Sequence, residues 1–228
     1  CFVEVHVIEI LFLSIALYGN YTSLTIASIL LSISSTEAGA AGTIDINFGW
    51  YVGELQMADG VSNRTTAFTL IFTSTGINFY KNVTFFSNLI SSGTGTIGFR
   101  GQGTTQVFTS AGVSLTCNVT VDSVSGTLQL ADNLTSTGTA FTLTSGTLDL
   151  SSGNRTLTCV TFSSSNSNTR SISFGTGNIT VTGNGATIWS MATITGFTLT
   201  GTPVVNATYS GGTGNRGISL GALSESNS

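Results

Sequence analysis

The sequence predicts an all-β chain folded as a parallel β-helix, a β-solenoid of irregular 20–31-residue coils. Three observations predict it. "SGTLQL" at 125–130 returns as "SGTLDL" at 145–150, twenty positions later, an interval too long for a helical or heptad period and too short for a domain. From Gly42 onward apolar residues alternate with Thr and Ser at period two, as half-buried strands require. Finally, apolar doublets recur on either side of short Gly-containing corners. Leu70-x-Phe72 leads to Ile77-x-Phe79, Phe141-x-Leu143 to Leu148-x-Leu150, Ile172-x-Phe174 to Ile179-x-Val181, and Phe197-x-Leu199 to Val204.

The first forty residues stand apart. They are strongly apolar, but Glu4, His6 and Glu9 interrupt them, and a carboxylate at mid-bilayer costs about 2.5 to 3.5 kcal/mol on insertion scales. The run 24–33 followed by Ala38-Gly39-Ala40 resembles a secretory h-region with an Ala-x-Ala cleavage site, although no Lys or Arg precedes Arg64. Residues 1–40 are therefore read as an apolar leader and candidate signal peptide, with an upstream strand pair as the other reading. Residues 41–228 form the repeat region. A start at Cys1 and a polar end in "SESNS" read as a fragment of a longer protein.

Within the repeat region, "TIDINFGWYV" sets Ile44, Ile46, Phe48 and Trp50 on one face of a strand. Leu128 over Leu148 and Leu130 over Leu150 would stack like on like, one coil apart, at the strand spacing of a sheet, about 4.7 to 4.9 Å. An antiparallel β-sandwich is the alternative, but its strands have no reason to resemble one another at a constant offset. Phe141 to Ile172 spans thirty-one residues and Ile172 to Phe197 twenty-five, so "SSSNSNT" and "NGATIWSMAT" are expected to bulge out as loops.

Composition narrows the function. Only 7% of residues are charged and the net charge is −4. Arg64, Lys81, Arg100, Arg155, Arg170 and Arg216 are scattered singly, which excludes the basic patch that nucleic acid needs. No Cys-x-x-Cys or Cys/His cluster is present, so no metal and no cofactor is expected. Cys117 and Cys159, in the matching contexts "SLTCNVT" and "TLTCVTF", read as buried apolar residues two coils apart, too far for a disulfide.

A glycosidase or lyase on such a scaffold would set two or three carboxylates in a groove. Asp122, Asp132 and Asp149 are the ones inside the repeats, with Asp45, Glu54 and Asp59 before them. Asp132 falls in the turn "ADN" and Asp149 outward in mid-strand, so they are not expected to converge and no enzyme is expected. "GTGNRG" and "GFRGQG" lack the Lys-Ser/Thr ending of a phosphate loop and read as corners. Eight Asn-x-Thr triplets, at Asn20, Asn63, Asn82, Asn118, Asn133, Asn154, Asn178 and Asn206, follow from a composition rich in Asn and Thr and offer glycosylation acceptors. Trp50, Trp189 and Tyr209 are candidates for sugar stacking, although an aromatic capping an apolar core is the commoner case for a residue placed like Trp189. Trp189, Tyr209, Asn184 and Arg170 make up the candidate binding set.

The run "SGTLDLSSGNRTLTCVTFSSSNSNTRSISFGTGNITVTGNG" resembles the Thr/Ser/Gly/Asn-rich repeats of bacterial surface adhesins, autotransporter passenger domains and phage tail-fibre or tailspike-like proteins, over roughly residues 42–220. The resemblance implies an elongated, exposed solenoid on a cell surface or virion, or outside the cell. Its expected role is structural or adhesive, with loops presented to a surface glycan or a host or cell-surface protein, no membrane span in the repeat region, and homo-oligomers open to it. A polysaccharide-degrading parallel β-helix is the alternative.

Overall fold

A computed structural model describes residues 30–32, 42–46, 50–52, 54–56, 68–72, 76–209 and 216–221. The described residues contain no helix, and the recorded strand pairs are parallel. The chain is thus a β-solenoid of about six turns, and the antiparallel sandwich is ruled out.

Each turn visits three faces in the same order. The first face stacks Trp50–Val52, Ile77–Phe79, Thr96–Phe99, the first part of Asn118–Leu130, the first part of Phe141–Asp149, Phe162–Ser163, Trp189–Met191 and Ile218–Leu220. The second stacks Leu30–Ser32, Glu54–Gln56, Val83–Thr84, Thr105–Thr109, the second parts of Asn118–Leu130 and Phe141–Asp149, Arg170–Ser173 and Phe197–Thr200. The third begins with Gly42–Ile46, Phe68–Phe72 and Leu89–Ser92. It continues through Ser114–Leu115, Leu134–Ser136, Thr156–Cys159, Asn178–Val181 and Val205–Ala207. A bond from Thr116 N to Ser91 Oγ at 3.2 Å joins its two parts.

Burial alternates along the strands, as in the pattern of Phe141–Asp149, where Phe141, Leu143 and Leu148 point inward. The inward side chains form columns. Val119, Phe141, Phe162 and Trp189 succeed one another on the first face, with ring centroids 6.0 Å apart for Phe141–Phe162 and 4.5 Å for Phe162–Trp189. Leu128, Leu148 and Ile172 do so on the second, and Leu134, Leu157 and Ile179 on the third. Each such side chain gains roughly 1.5 to 3 kcal/mol on burial, with the next turn as its lid.

The repeated "SGTL" marks the corner between first and second faces. Thr127 pairs with Thr147 and Leu128 with Leu148, while the register shifts across residues 123–126, where Val124 and Ser125 are exposed at the corner. Gly146 sits there with φ +80, and a Cβ on it would run into the Ser123 carbonyl oxygen of the turn below. Glycine is thus required by the close approach of two turns.

Three expectations need correction. Ile172 stacks on Leu148, and Phe141 lies against Phe162 rather than beneath Ile172. Apolar doublets occur on all three faces, and the thirty-one-residue spacing compared doublets from different faces. True spacings run from twenty residues, Leu128 to Leu148, to twenty-nine, Trp189 to Ile218. Likewise "TIDINFGWYV" is not one strand: Gly42–Ile46 belongs to the third face and Trp50–Val52 to the first. Lastly, "NGATIWSMAT" is not one loop, because Trp189–Met191 within it is a core strand. The leader expected over 1–40 lies outside the described residues except for Leu30–Ser32, which pairs with Glu54–Gln56.

Candidate functional site

The corner between first and second faces carries charged side chains on several turns, Arg100 and Asp122 among them. On successive turns, Arg100 Nε donates to Asn78 Oδ1 at 2.7 Å, Arg100 forms an ion pair with Asp122, and Ser145 Oγ donates to the other Asp122 oxygen at 2.7 Å. The result is a polar ladder of side chains running up the edge, with both partners of the ion pair about a third exposed.

Higher up, the same corner lengthens into the loops 164–169 and 192–196, and Arg170 holds both. Its Nε donates to Ser164 Oγ at 2.8 Å and its Nη2 to the Ser164 carbonyl at 2.6 Å and the Thr193 carbonyl at 2.5 Å. Its Nη1 donates to the carbonyls of Asn168 at 2.9 Å and Thr195 at 2.7 Å, and its guanidinium lies 5.2 Å from the Phe197 ring. Arg170 is 2% exposed, and burial pushes its guanidinium below the ordinary value. Expected as a binding residue, it is an internal clamp whose donors are spent on backbone oxygens.

Trp189 is corrected in the same way. It is buried, stacked on Phe162 with ring planes 19° apart, because its position on the strand points inward. A sugar cannot reach that ring face. Trp50 carries no described side chain. Asn184 and Tyr209 are exposed, and the fold brings them to one edge. The bond from Thr208 N to Val181 O at 2.9 Å continues the third-face register, so Asn184 and Tyr209 both follow the third-face strands of adjacent turns.

That edge borders the upper part of the third face, from Ser114–Leu115 to Val205–Ala207, whose outward columns are polar and uncharged. Ser114, Thr135, Thr158, Thr180 and Asn206 form one column. Asn133, Thr156 and Asn178 run beside it. Thr156 N donates to Asn133 Oδ1 at 2.9 Å, and Asn178 Nδ2 to Thr156 Oγ1 at 3.1 Å. No charged residue occurs in these five strands. The array offers hydroxyl and amide groups at the spacing of the sheet, about 4.7 to 4.9 Å per turn.

The Asn-x-Thr triplets therefore have a structural part that composition did not reveal. Asn82, Asn118 and Asn154 accept from Val107 N at 2.9 Å, Ala140 N at 3.0 Å and Thr176 N at 3.0 Å, each one turn further on. An Asn at or just before the start of a strand was the readable signal. Asn206 is exposed, while Asn20 and Asn63 lie outside the described residues.

The carboxylates are placed apart and engaged. Asp132 accepts from the backbone of Ser110 at 2.9 Å and Ala111 at 2.6 Å, at the corner between second and third faces. Asp149, on the second face, accepts from Ser151 N at 2.8 Å, Ser151 Oγ at 2.6 Å and Gln129 Nε2 at 3.2 Å. Among the described residues no group of His, Cys, Asp and Glu is arranged to hold a metal ion.

Cys117 and Cys159 are free and buried, and burial pushes both thiols up to about 12. Their matching contexts do not share a column. Cys159 lies on Ser136, which lies on Leu115, two residues before Cys117. Compared with protein-family models, curated proteins and solved structures, the chain matches none of them.

Proposed function

We propose that the chain is a structural and adhesive β-solenoid of an extracellular, cell-surface or virion-surface protein, and that its third face contacts a neutral glycan. The observation that carries this reading is the uncharged column of hydroxyl and amide groups bordered by exposed Tyr209 and Asn184. A neutral sugar presents hydroxyls and an apolar ring face. Thr and Asn side chains answer the first and a tyrosine ring the second. Because the contacts repeat from turn to turn, a polymeric glycan engages several at once and gains avidity.

Binding of the chain to a panel of immobilised neutral polysaccharides tests this. Tyr209→Ala and Asn184→Ala are each expected to weaken the interaction, and added salt to leave it unchanged, since no exposed charge pair forms it. Binding that salt abolishes, or that neither substitution affects, contradicts the reading. Release of soluble sugar, lost on Asp132→Asn or Asp149→Asn, would favour the polysaccharide-degrading alternative. The hydrogen bonds that already occupy those carboxylates weigh against it.

A further inference from the structure

Asn184 is the one asparagine of the chain that precedes a glycine, and the fold leaves that pair open. Residues 184–187 are all exposed and lie between the strands Asn178–Val181 and Trp189–Met191. The span is held at its ends, by Gly183 N on the Val160 carbonyl at 2.9 Å and Ile188 N on the Gly217 carbonyl at 2.8 Å. Within it, neither the Asn184 side chain nor the Gly185 amide N–H has a hydrogen-bond partner among the described residues. A Cβ placed on Gly185 would meet only Thr187 N, at 4.0 Å, beyond its chain neighbours. Exposed Asn82, Asn133 and Asn154 differ. Each accepts a backbone N–H of the next turn, and the residue that follows each, Val83, Leu134 or Arg155, shields its own amide with a side chain.

We propose that Asn184 is a self-modification site, at which the side-chain amide is converted to aspartate and isoaspartate with water as the co-reactant. The Gly185 nitrogen attacks Cγ of Asn184. The new C–N bond closes a succinimide ring while the Cγ–Nδ2 bond breaks, and the Gly185 amide proton leaves with Nδ2 as ammonia. Water then opens the ring. Attack at Cγ gives aspartate, and attack at the backbone carbonyl carbon gives isoaspartate, in which the chain runs through the former side chain. Glycine permits the closure because no side chain restricts its backbone or covers its nitrogen. The product carboxylate is ionised at neutral pH, its ordinary value being about 3.9. A negative charge therefore arises at the end of Asn178–Val181, in a row of third-face strands that has none. Weaker adhesion of the aged protein is the consequence, and it rests on the glycan reading above; the modification itself does not.

Peptide mass mapping of the folded chain aged in neutral and mildly alkaline buffer, with enzymatic methylation of isoaspartate as a second readout, tests the proposal. The peptide carrying residue 184 is expected to gain the mass of an amide-to-acid conversion and to accumulate isoaspartate. Conversion should quicken as pH rises, because the attacking nitrogen must lose its proton, and should run at a rate close to that of a free peptide of residues 181–188. Asn154 should stay an amide in the same samples. Asn184→Gln and Gly185→Val should each suppress the reaction. The φ of Gly185 lies outside the left-handed region, so valine is tolerated there, and circular dichroism confirms that the variant retains its β-structure. A rate about tenfold or more below that of the free peptide means a site that must first open by about 1.4 kcal/mol, and overturns the proposal. Conversion that Gly185→Val leaves unchanged overturns it as well. Binding to neutral polysaccharide, measured on the same aged samples, separates the two claims. Loss that tracks conversion and is copied by Asn184→Asp supports both, whereas conversion with binding intact leaves the modification standing and counts against the glycan reading.

Discussion

Arg100 and Arg170 stand at the same corner of the stack, where the first face gives way to the second, and hold it by different means. Around Arg100 the corner is short. The arginine lies on the outside, paired through side chains to Asn78 below and Asp122 above. Inside that corner Gln106 Nε2 bonds the Phe79 carbonyl at 3.0 Å, and Ser123 Oγ the Phe99 carbonyl at 3.1 Å. Around Arg170 the corner has grown into two loops whose carbonyls turn inward, and one buried cation gathers them. A short corner is closed by the ladder itself and by small polar side chains. A long corner leaves backbone oxygens without ladder partners, and these must be satisfied from within.

Substituting the two arginines separates the two modes. Arg170→Met leaves four carbonyls without their donor in a buried site and is expected to cost about 3 to 5 kcal/mol in urea denaturation. Amide exchange should accelerate first in 164–169 and 192–196. Arg170→Lys should recover little, because a compact ammonium cannot reach across both loops. A loss below about 1 kcal/mol would mean that water replaces the guanidinium.

The next effect in size uses the buried thiols as reporters, since Cys117 lies on the Arg100 turn and Cys159 just beneath the Arg170 turn. Both are neutral in the fold, their values raised by burial from 9.0 to about 12. A folded-state value above the unfolded one means that stability is unaffected below about pH 9 and falls as pH rises towards 12. A thiol reagent at neutral pH should leave both unmodified in wild type and reach Cys159 before Cys117 in Arg170→Met. Equal rates would show that the two regions do not open separately. Smallest is the Arg100–Asp122 pair. A double-mutant cycle with alanine should give a coupling of about 0.2 to 1 kcal/mol that shrinks with salt, as for half-exposed ion pairs.

The contrast also explains what could be read from the sequence. Stacking was legible because "SGTL" writes a corner glycine and a core leucine into consecutive turns, and both are demanded at the same height of the wall. The face to which each doublet belongs was not legible. Phe141, Leu148 and Leu157 all lie in apolar doublets of one turn, and alternation alone does not tell them apart. Arg170 was expected among the binding residues because a charge near a loop suggests display, and Trp189 was a candidate for sugar stacking although an aromatic capping the core was the commoner case, as the structure has it. The partners that bury them, Thr193 and Thr195 for one and Phe162 for the other, lie more than twenty residues away. That Asn184 and Tyr209 both follow third-face strands of adjacent turns depended on the register of the last turn, which the irregular loops hid.

Proton–proton contacts between residues 118–121 and 141–143, read by nuclear magnetic resonance, test the stacked parallel turns most directly. The account predicts Val119 against Phe141 and Val121 against Leu143, a constant separation of twenty-two residues as one moves along the strand. Contacts of Val119 with Leu143 and of Val121 with Phe141, the crossed pattern of antiparallel strands, would contradict it.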